Sequence, residues 1–423
     1  MSESSVSGGP NSGPDDRPAG ALDGIRVLDL TRVLAGPLCA QMLGDLGADV
    51  IKVEPPGAGD DTRTWGPPWV SKPGAVPGDA EAAYYLGANR NKRSITLDLG
   101  QPAGRELLGQ LIERADVVVD NYKKGTLARW GFDDAWFEAH APRAIRASVT
   151  GYGTTGPKAA LPGYDFIAQA ESGLMSICGD VDGEPMKYGV AIVDIATGLI
   201  ITNGVLAALA ARQRTGRGQK VEASLYETGL FLLANVAMNH LASGRDARRF
   251  GNGHPNIVPY TTYPAADAMM AVAVGNDAQF AKFAELIGEP AWAKDPQFAT
   301  NAERIANRER LDASIGLRTR EHPADSWIAA MRSAGIPCAR INTVAQALAE
   351  EQTEARSMVV PMSHEAYGDF RTLGCPVKLS DTPATYRMAP PRLGQHGDEV
   401  LRGELGLDDA RIAQLRDARV VGG

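Results

Sequence analysis

Cysteine is scarce in this chain, four in 423 residues, and Cys39, Cys178, Cys338 and Cys375 stand far apart with no CxxC pair and no neighbouring histidine. That spacing offers neither a zinc site nor a disulfide framework, so no metal is expected, and four separated thiols fit a reducing cytoplasm. Positive charge is also short: 43 Lys and Arg face 51 Asp and Glu, a formal net charge of -8. No dense basic run is interleaved with aromatics, which excludes the usual footprint of a nucleic-acid partner. Long apolar runs are few. The longest, Ile192 to Ala211, is interrupted by Asp194, Thr197, Thr202 and Asn203 and ends in Arg212-Gln213-Arg214, so it predicts a buried helix and no membrane span. Residues 1–20 are rich in Ser, Gly, Pro and Asp and contain no apolar h-region, which predicts a disordered leader in place of a signal peptide.

What is present is ordinary globular composition, 44% hydrophobic and 22% charged, over a length that exceeds one compact core. Two domains follow as the expectation. Ile25–Leu30 reads as a strand, Leu38–Leu46 as a helix, Asp49–Val53 as a strand, Gly104–Arg114 as a helix and Asp116–Asp120 as a strand, the βαβ rhythm of a parallel sheet. Further strands are predicted at Ala144–Thr150 and Lys220–Leu225. The stretch Arg245 to Asn256 is rich in charge and glycine, as a linker would be. Beyond it, strands at Pro259–Tyr263 and Met269–Val274, with helices around Gln279–Ile287, Glu303–Leu317 and Ala324–Ser333, make a second, α+β unit.

The turn after the first strand, Thr31 to Pro37, holds one glycine where a dinucleotide fingerprint needs three, and no Walker lysine follows. A plain NAD or ATP site is thereby disfavoured, and Glu54, followed by Pro55-Pro56, reads as a strand terminator. Glycine-rich loops at Gly151–Pro157 and Gly251–Pro255 are permissive of ligand binding without demanding it. Asp194 is the residue that calls for explanation. It stands among apolar residues where a long helix, Ile195 to Arg212, is predicted to begin, and a buried charge there needs a partner or a chemical task. Asp is a favoured N-cap; a nucleophile kept ionised by the helix N-terminus is the other reading, and position alone does not separate them.

The blocks Leu28-Asp29-Leu30-Thr31-Arg32-Val33-Leu34-Ala35-Gly36-Pro37, Gly44 to Glu54, Asn89 to Ser94, Thr150-Gly151-Tyr152-Gly153 and Thr215 to Gln219 resemble the signature blocks of the class III CoA-transferases, over nearly the whole chain from Leu22 to Val420. The resemblance implies an α/β fold: a doubly wound, Rossmann-like large CoA-binding domain (residues 21–225 and 345–423), linkers at 226–249 and 336–344, a small α+β domain (250–335), and an interlocked homodimer in the cytoplasm. It implies that the Asp194 carboxylate attacks an acyl-CoA thioester, giving an anhydride and then an aspartyl-CoA thioester, with no metal and no tightly bound cofactor. The partners implied are acyl-CoA and a small carboxylic acid, without nucleic acid or membrane.

By the same resemblance, CoA would be held by Val33, Leu34, Leu97, Asn121, Tyr122, Arg129 and Trp130, with Arg129 suited to a phosphate and Tyr122 or Trp130 to adenine. Leu34 stands where the formyl-CoA:oxalate enzymes have a Gln, and their oligoglycine loop is missing, which speaks against oxalate. The block Gly57 to Pro68, with Arg90 and His254 to Tyr260, is similar to the succinyl-CoA:glutarate branch. A dicarboxylate needs a cation for its distal end, and Arg63 or Arg90 is expected to supply it, with Trp65, Tyr164 and Asp165 lining the acyl site. Two alternatives are a racemase of the α-methylacyl-CoA type and a non-catalytic CoA-binding protein. The racemase block has a histidine where this chain has Tyr164, and no histidine lies between His140 and His240.

Overall fold

The computed structural model describes residues 20–74 and 79–422; the leader expected at 1–20 falls, but for its last residue, outside them. Its main sheet has six strands: β1 (Arg26–Leu30), β2 (Asp49–Glu54), β3 (Lys92–Thr96), β4 (Val117–Asp120), β5 (Ile145–Thr150) and β6 (Lys220–Ser224). They lie in the order β3-β2-β1-β4-β5-β6. Strands β3, β2, β1, β4 and β5 pair in parallel. The chain therefore starts in the middle, winds outward on one side, and crosses back, which leaves a topological switch point between β1 and β4.

Successive side chains of these strands serve opposite faces, and both faces are covered, which is why the strands read as continuous apolar runs. Leu28, Ile51 and Val118 point to one side, where α2 (Pro102–Arg114) supplies Leu107, Leu108 and Leu111 and the returning C-terminal segment supplies Val400, Leu401, Ile412 and Leu415. Val27, Val50, Val117 and Val119 point to the other, against Ala35, Cys39 and Leu43 of α1 (Ala35–Asp45) and Ile201, Val205, Ala208 and Leu209 of α4 (Ile192–Thr215). Helix α4 is long and apolar enough to cross a membrane; here its apolar stripe is spent on the sheet. Its end is fixed by Arg212, nearly fully buried, which pairs with Asp116 at 2.9 Å and donates to the Arg143 carbonyl at 3.1 Å.

The chain divides into two compact units, one of residues 1–150, 195–223 and 358–423, the other of residues 151–194 and 224–357. The second unit has a three-stranded antiparallel sheet of β7 (Tyr260–Pro264), β8 (Met269–Ala273) and β9 (Cys338–Arg340). Its core is built from Val258, Met270, Phe280, Phe283, Leu311, Ile315 and Met331. It also holds α3 (Asp165–Glu171), α5 (Leu225–Leu232) and α6 (Ala234–Ser243). Three of the sequence-based boundaries change. Residues 151–194 group with the second unit, not with the sheet. The stretch expected as a linker at 226–249 carries α5 and α6, and that at 336–344 carries β9, registered on Met270–Val272. Composition marks where a chain turns polar; it does not show which strand completes a sheet.

Gly198 lets α4 approach α1 closely. A Cβ at this position would lie 2.8 Å from the Ala35 carbonyl oxygen and 3.2 Å from Leu38. Backbone cannot yield as a side-chain tip can, so Gly198→Val is expected to lower the urea midpoint, at a cost of about 1–3 kcal/mol.

Candidate active site

Helix α4 begins at Ile192, not at Ile195, which puts Asp194 inside its first turn. The first turn of a helix leaves backbone N–H groups without intrahelical partners. Here a carboxylate from elsewhere takes them: Oδ1 of Asp165, the opening residue of α3, accepts the N–H of Val193 at 2.8 Å and that of Asp194 at 3.1 Å. Its Oδ2 accepts from the Gln169 side-chain amide at 2.6 Å, and Oε1 of the same amide accepts the Tyr188 N–H at 2.8 Å. Val193 is packed with Ala168 and Leu225, so the junction is apolar beneath and polar above.

Asp194 is thereby relieved of the capping role. Its own carboxyl group makes no hydrogen bond among the described residues and is half-buried. Burial, with a smaller contribution from the charge of Asp165, raises its pKa from the ordinary 3.8 to about 7. The positive end of α4 does not offset this fully, because the nearest N–H groups are spent on Asp165. A carboxylate with that pKa is a stronger base and nucleophile than an exposed aspartate, while remaining substantially ionised at neutral pH.

A second feature stands at the switch point, where β1 and β4 end side by side. The turn after β1 is held at three consecutive residues. Thr31 donates both its N–H and its hydroxyl to Asp29 and offers its carbonyl to Lys52 Nζ at 2.8 Å. Arg32 is clasped by Asn121, whose side-chain oxygen accepts the Arg32 N–H at 3.1 Å and whose amide donates to the Arg32 carbonyl at 2.7 Å. Val33 donates its N–H to Asp60 at 3.1 Å. Val33 has φ 73°, a left-handed conformation that a β-branched residue adopts at a cost of about 1–2 kcal/mol. Leu34 follows as the residue before α1, without a side-chain cap.

Under this turn lies a fully buried charge network. Lys92 donates to Asp29 at 2.9 Å, to the Pro37 carbonyl at 2.8 Å and to Asn89 at 2.8 Å, and Lys52 lies 3.0 Å from Asp60 Oδ2. Burial alone would raise the pKa of Asp29, but Lys52 and Lys92 outweigh it and hold Asp29 at about 2. Burial pushes Lys92 down to about 8. The sequence carried a signal for this network, since lysines in strands covered on both faces require carboxylate partners; Asp60, the partner that reaches Val33, could not be singled out from it.

Around the same crevice stand most of the residues expected to hold CoA. Tyr122 and Trp130 meet edge to face, with centroids 5.0 Å apart. Arg129 is exposed, and its guanidinium bonds only to the Thr126 hydroxyl, at 2.9 Å, among the described residues. Asp120, which ends β4, is pushed up to about 6 by burial, eased by bonds from Ser148 and the Tyr122 N–H. Leu97 is buried in the core that includes Ile95 and Leu107.

The two arginines expected to receive a distal carboxylate are already occupied. The Arg63 guanidinium bonds twice to Glu54, at 2.8 Å each, and also to Glu81, Tyr85 and the Pro391 carbonyl. Arg90 grips Asp45 with two nitrogens, at 2.8 and 2.5 Å, and donates to the Leu373 carbonyl at 2.7 Å. Both are buried side chains whose forks are filled from within, so that expectation is corrected. Glu54, read as a strand terminator, ends β2 and serves Arg63. Trp65 is partly exposed and packs edge to face on Tyr84, with centroids 5.2 Å apart. Tyr164 is exposed and precedes α3 without a side-chain capping bond.

The chain is similar to known proteins over most of its length. The sequence pattern of CoA-transferase family III matches residues 22–397. Over 380 residues the chain is 43% identical to a succinate–glutarate CoA-transferase of Agrobacterium fabrum, covering 90% of this chain and 94% of that protein. It is 38% identical over 400 residues to the succinyl-CoA:glutarate CoA-transferase of Homo sapiens, covering 95% and 90%. A crystal structure of a CAIB/BAIF family protein from Brucella suis aligns with a TM-score of 0.80 and 43% identity, covering 92% of this chain and 100% of that one.

Two stability measurements check the electrostatics. Arg63→Met strands two buried carboxylates and is expected to cost about 3–5 kcal/mol in denaturant unfolding. Asp194→Asn should act in the opposite direction. The folded state holds a proton on Asp194 up to about pH 7 that the unfolded chain releases near 3.8. The wild type therefore loses stability as pH rises between these values, and the advantage of Asp194→Asn in melting temperature should grow from about pH 4 and level off above about pH 7.

Proposed function

The chain belongs to CoA-transferase family III, and from that premise we propose that Asp194 is the nucleophile that moves CoA from an acyl-CoA donor to a free carboxylic acid. The observation that carries the reading is the uncapped, half-buried Asp194 carboxyl at the start of α4, with Asp165 doing the capping. In the first step an Asp194 oxygen attacks the thioester carbonyl, the C–S bond breaks, and the products are an acyl-aspartyl anhydride and CoA thiolate. The thiolate then attacks the aspartyl carbonyl, releasing the donor acid and leaving CoA as an aspartyl thioester. The incoming carboxylate reverses the sequence and leaves as the new acyl-CoA. Both half-reactions conserve the thioester free energy only where water is kept out. The apolar seat of Val193 supports that requirement.

The CoA portion is assigned to the crevice beyond β1 and β4. Backbone of Val33 and Leu34 borders it, Tyr122 and Trp130 offer an aromatic surface for adenine, and Arg129 offers a charge-assisted bond to a phosphate. Asn121 serves by holding Arg32, since both ends of its amide are already committed there. Leu97, 2% exposed within the core, offers CoA no surface, and that expectation is corrected. We assign succinyl-CoA as donor and a dicarboxylate such as glutarate as acceptor, a reading supported by what the Agrobacterium and human relatives are named for. Tyr164, next to the capping Asp165, remains with the acyl site in this reading, whereas the distal carboxylate is left to a cation other than Arg63 or Arg90.

A cytoplasmic homodimer completes the proposal. Phe166 on α3, Phe231 on α5, and Met238 and Leu241 on α6 are exposed large apolar side chains on helices of the second unit. A second copy of the chain would cover them.

Donor CoA esters tested against free acids, with products identified by mass spectrometry, decide the substrates; transfer to no diacid would end the dicarboxylate assignment. Asp194→Ala should abolish exchange while CoA binding persists, and hydroxylamine added with acyl-CoA should modify Asp194 in the wild type alone. Because the ionised carboxylate attacks, kcat/KM should fall about tenfold per pH unit below about 7 and level above it. A flat profile down to pH 5 would refute the assignment of that ionisation to the nucleophile.

A further inference from the structure

Val33 is the residue of the CoA-binding turn whose backbone conformation is least natural to its side chain. At φ 73° its branched Cβ crowds its own backbone, and a free chain of this sequence would leave that state. The turn has nonetheless been given this shape, and the surrounding hydrogen bonds show what imposes it. Asp60 accepts the Val33 N–H at 3.1 Å, and the same oxygen, Oδ1, also accepts the N–H and hydroxyl of Thr62 at 3.0 and 2.8 Å. The N–H of Asp60 is itself fixed to Glu54 at 2.9 Å, and Lys52 stands 3.0 Å from its other oxygen. On the residue before, Asn121 closes a two-point clasp on Arg32. The residue before that, Thr31, is bound through its N–H, hydroxyl and carbonyl to Asp29 and Lys52.

We propose that Asp60 and Asn121 are positioning residues that force the turn after β1 into the strained shape in which it accepts the CoA ester, with Lys52 and Asp29 as the buried anchor. This rests on the reading of that turn as the CoA site. Neither side chain needs to touch CoA. Asp60 is 2% exposed, and the Asn121 amide engages Arg32 at both ends. Holding the strain in the free protein means that the ester does not have to supply it on binding, which is how a preset loop improves affinity without adding a contact. Lys52 and Asp29 lie in strands paired on both sides, so the anchor moves only if the sheet does.

The discriminating residue is Val33 itself, because glycine adopts φ 73° without strain and needs no clamp. Full-length wild type, Asp60→Asn, Val33→Gly and the double variant are titrated calorimetrically with free CoA and assayed with succinyl-CoA and glutarate. Asp60→Asn is expected to weaken CoA binding and raise KM for the ester by about tenfold or more, with kcat altered by less than about threefold. In the Val33→Gly background the same Asp60→Asn change should have little further effect on CoA affinity. Asn121→Ala, a half-exposed position, repeats the comparison if Asp60→Asn does not fold. Undiminished CoA binding by Asp60→Asn or by Asn121→Ala overturns the proposal. So does a loss of the same size whether residue 33 is Val or Gly, since that is what a generally loosened fold would give. Wild type that binds no CoA overturns the assignment of the CoA site itself, and the positioning role with it.

Discussion

The hydrogen bonds from Val193 and Asp194 to the Asp165 carboxylate are the constraint on which the rest of the arrangement around Asp194 depends. A helix that starts in an apolar setting must have its first N–H groups satisfied, and the nearest side chain able to do so is Asp194 itself. Were Asp194 to cap, its oxygens would be engaged with backbone donors and its basicity would fall. Asp165 removes that competition and, through its own charge, adds to the burial that raises Asp194 to about 7. One interaction thus fixes the helix start, frees the side chain and tunes it.

A comparable economy governs the turn after β1. The large sheet places the ends of β1 and β4 together, but a crevice alone does not shape a binding turn. The shape comes from charges buried beneath it. Lys52 and Lys92 would be prohibitive in strands covered on both faces if they were alone, and they are tolerated because Asp29 and Asp60 neutralise them and because each ammonium also finds a carbonyl. The carboxylates, held in turn, bond to the backbone of the Thr31–Val33 turn. Removing one partner would leave an uncompensated charge, so the network favours a single turn geometry over nearby alternatives.

Arg63 and Arg90 show why charged residues near a substrate-like block are easily misassigned. Each lies in a sequence segment that resembles a dicarboxylate-specific enzyme, and each looks available when read along the chain. Their partners are distant: Glu54 and Glu81 for Arg63, Asp45 and the Leu373 carbonyl for Arg90. An arginine fork binds one carboxylate as well as another, and the internal ones are already in place, desolvated and oriented. Neither fork is therefore open to a carboxylate from outside the chain.

The sequence by itself determined the βαβ order, the strands β1, β2, β4 and β5 to within a residue or two, the absence of a dinucleotide fingerprint, and Asp194 as the residue requiring explanation. These are legible because period-two and helical patterns are local, and because a lone charge in an apolar run stands out in one dimension. The tertiary structure alone decided that α4 starts a turn earlier than the pattern suggested, that residues 151–194 group with the second unit, and that Asp165 is the cap. It alone showed Val33 strained and clamped. Each of these depends on a hydrogen bond or strand pairing between residues far apart in the chain, such as Asp165 with Asp194, Asp60 with Val33, or Cys338 with Val272. Local propensity carries no record of such partners, because they are set by where the folded chain returns.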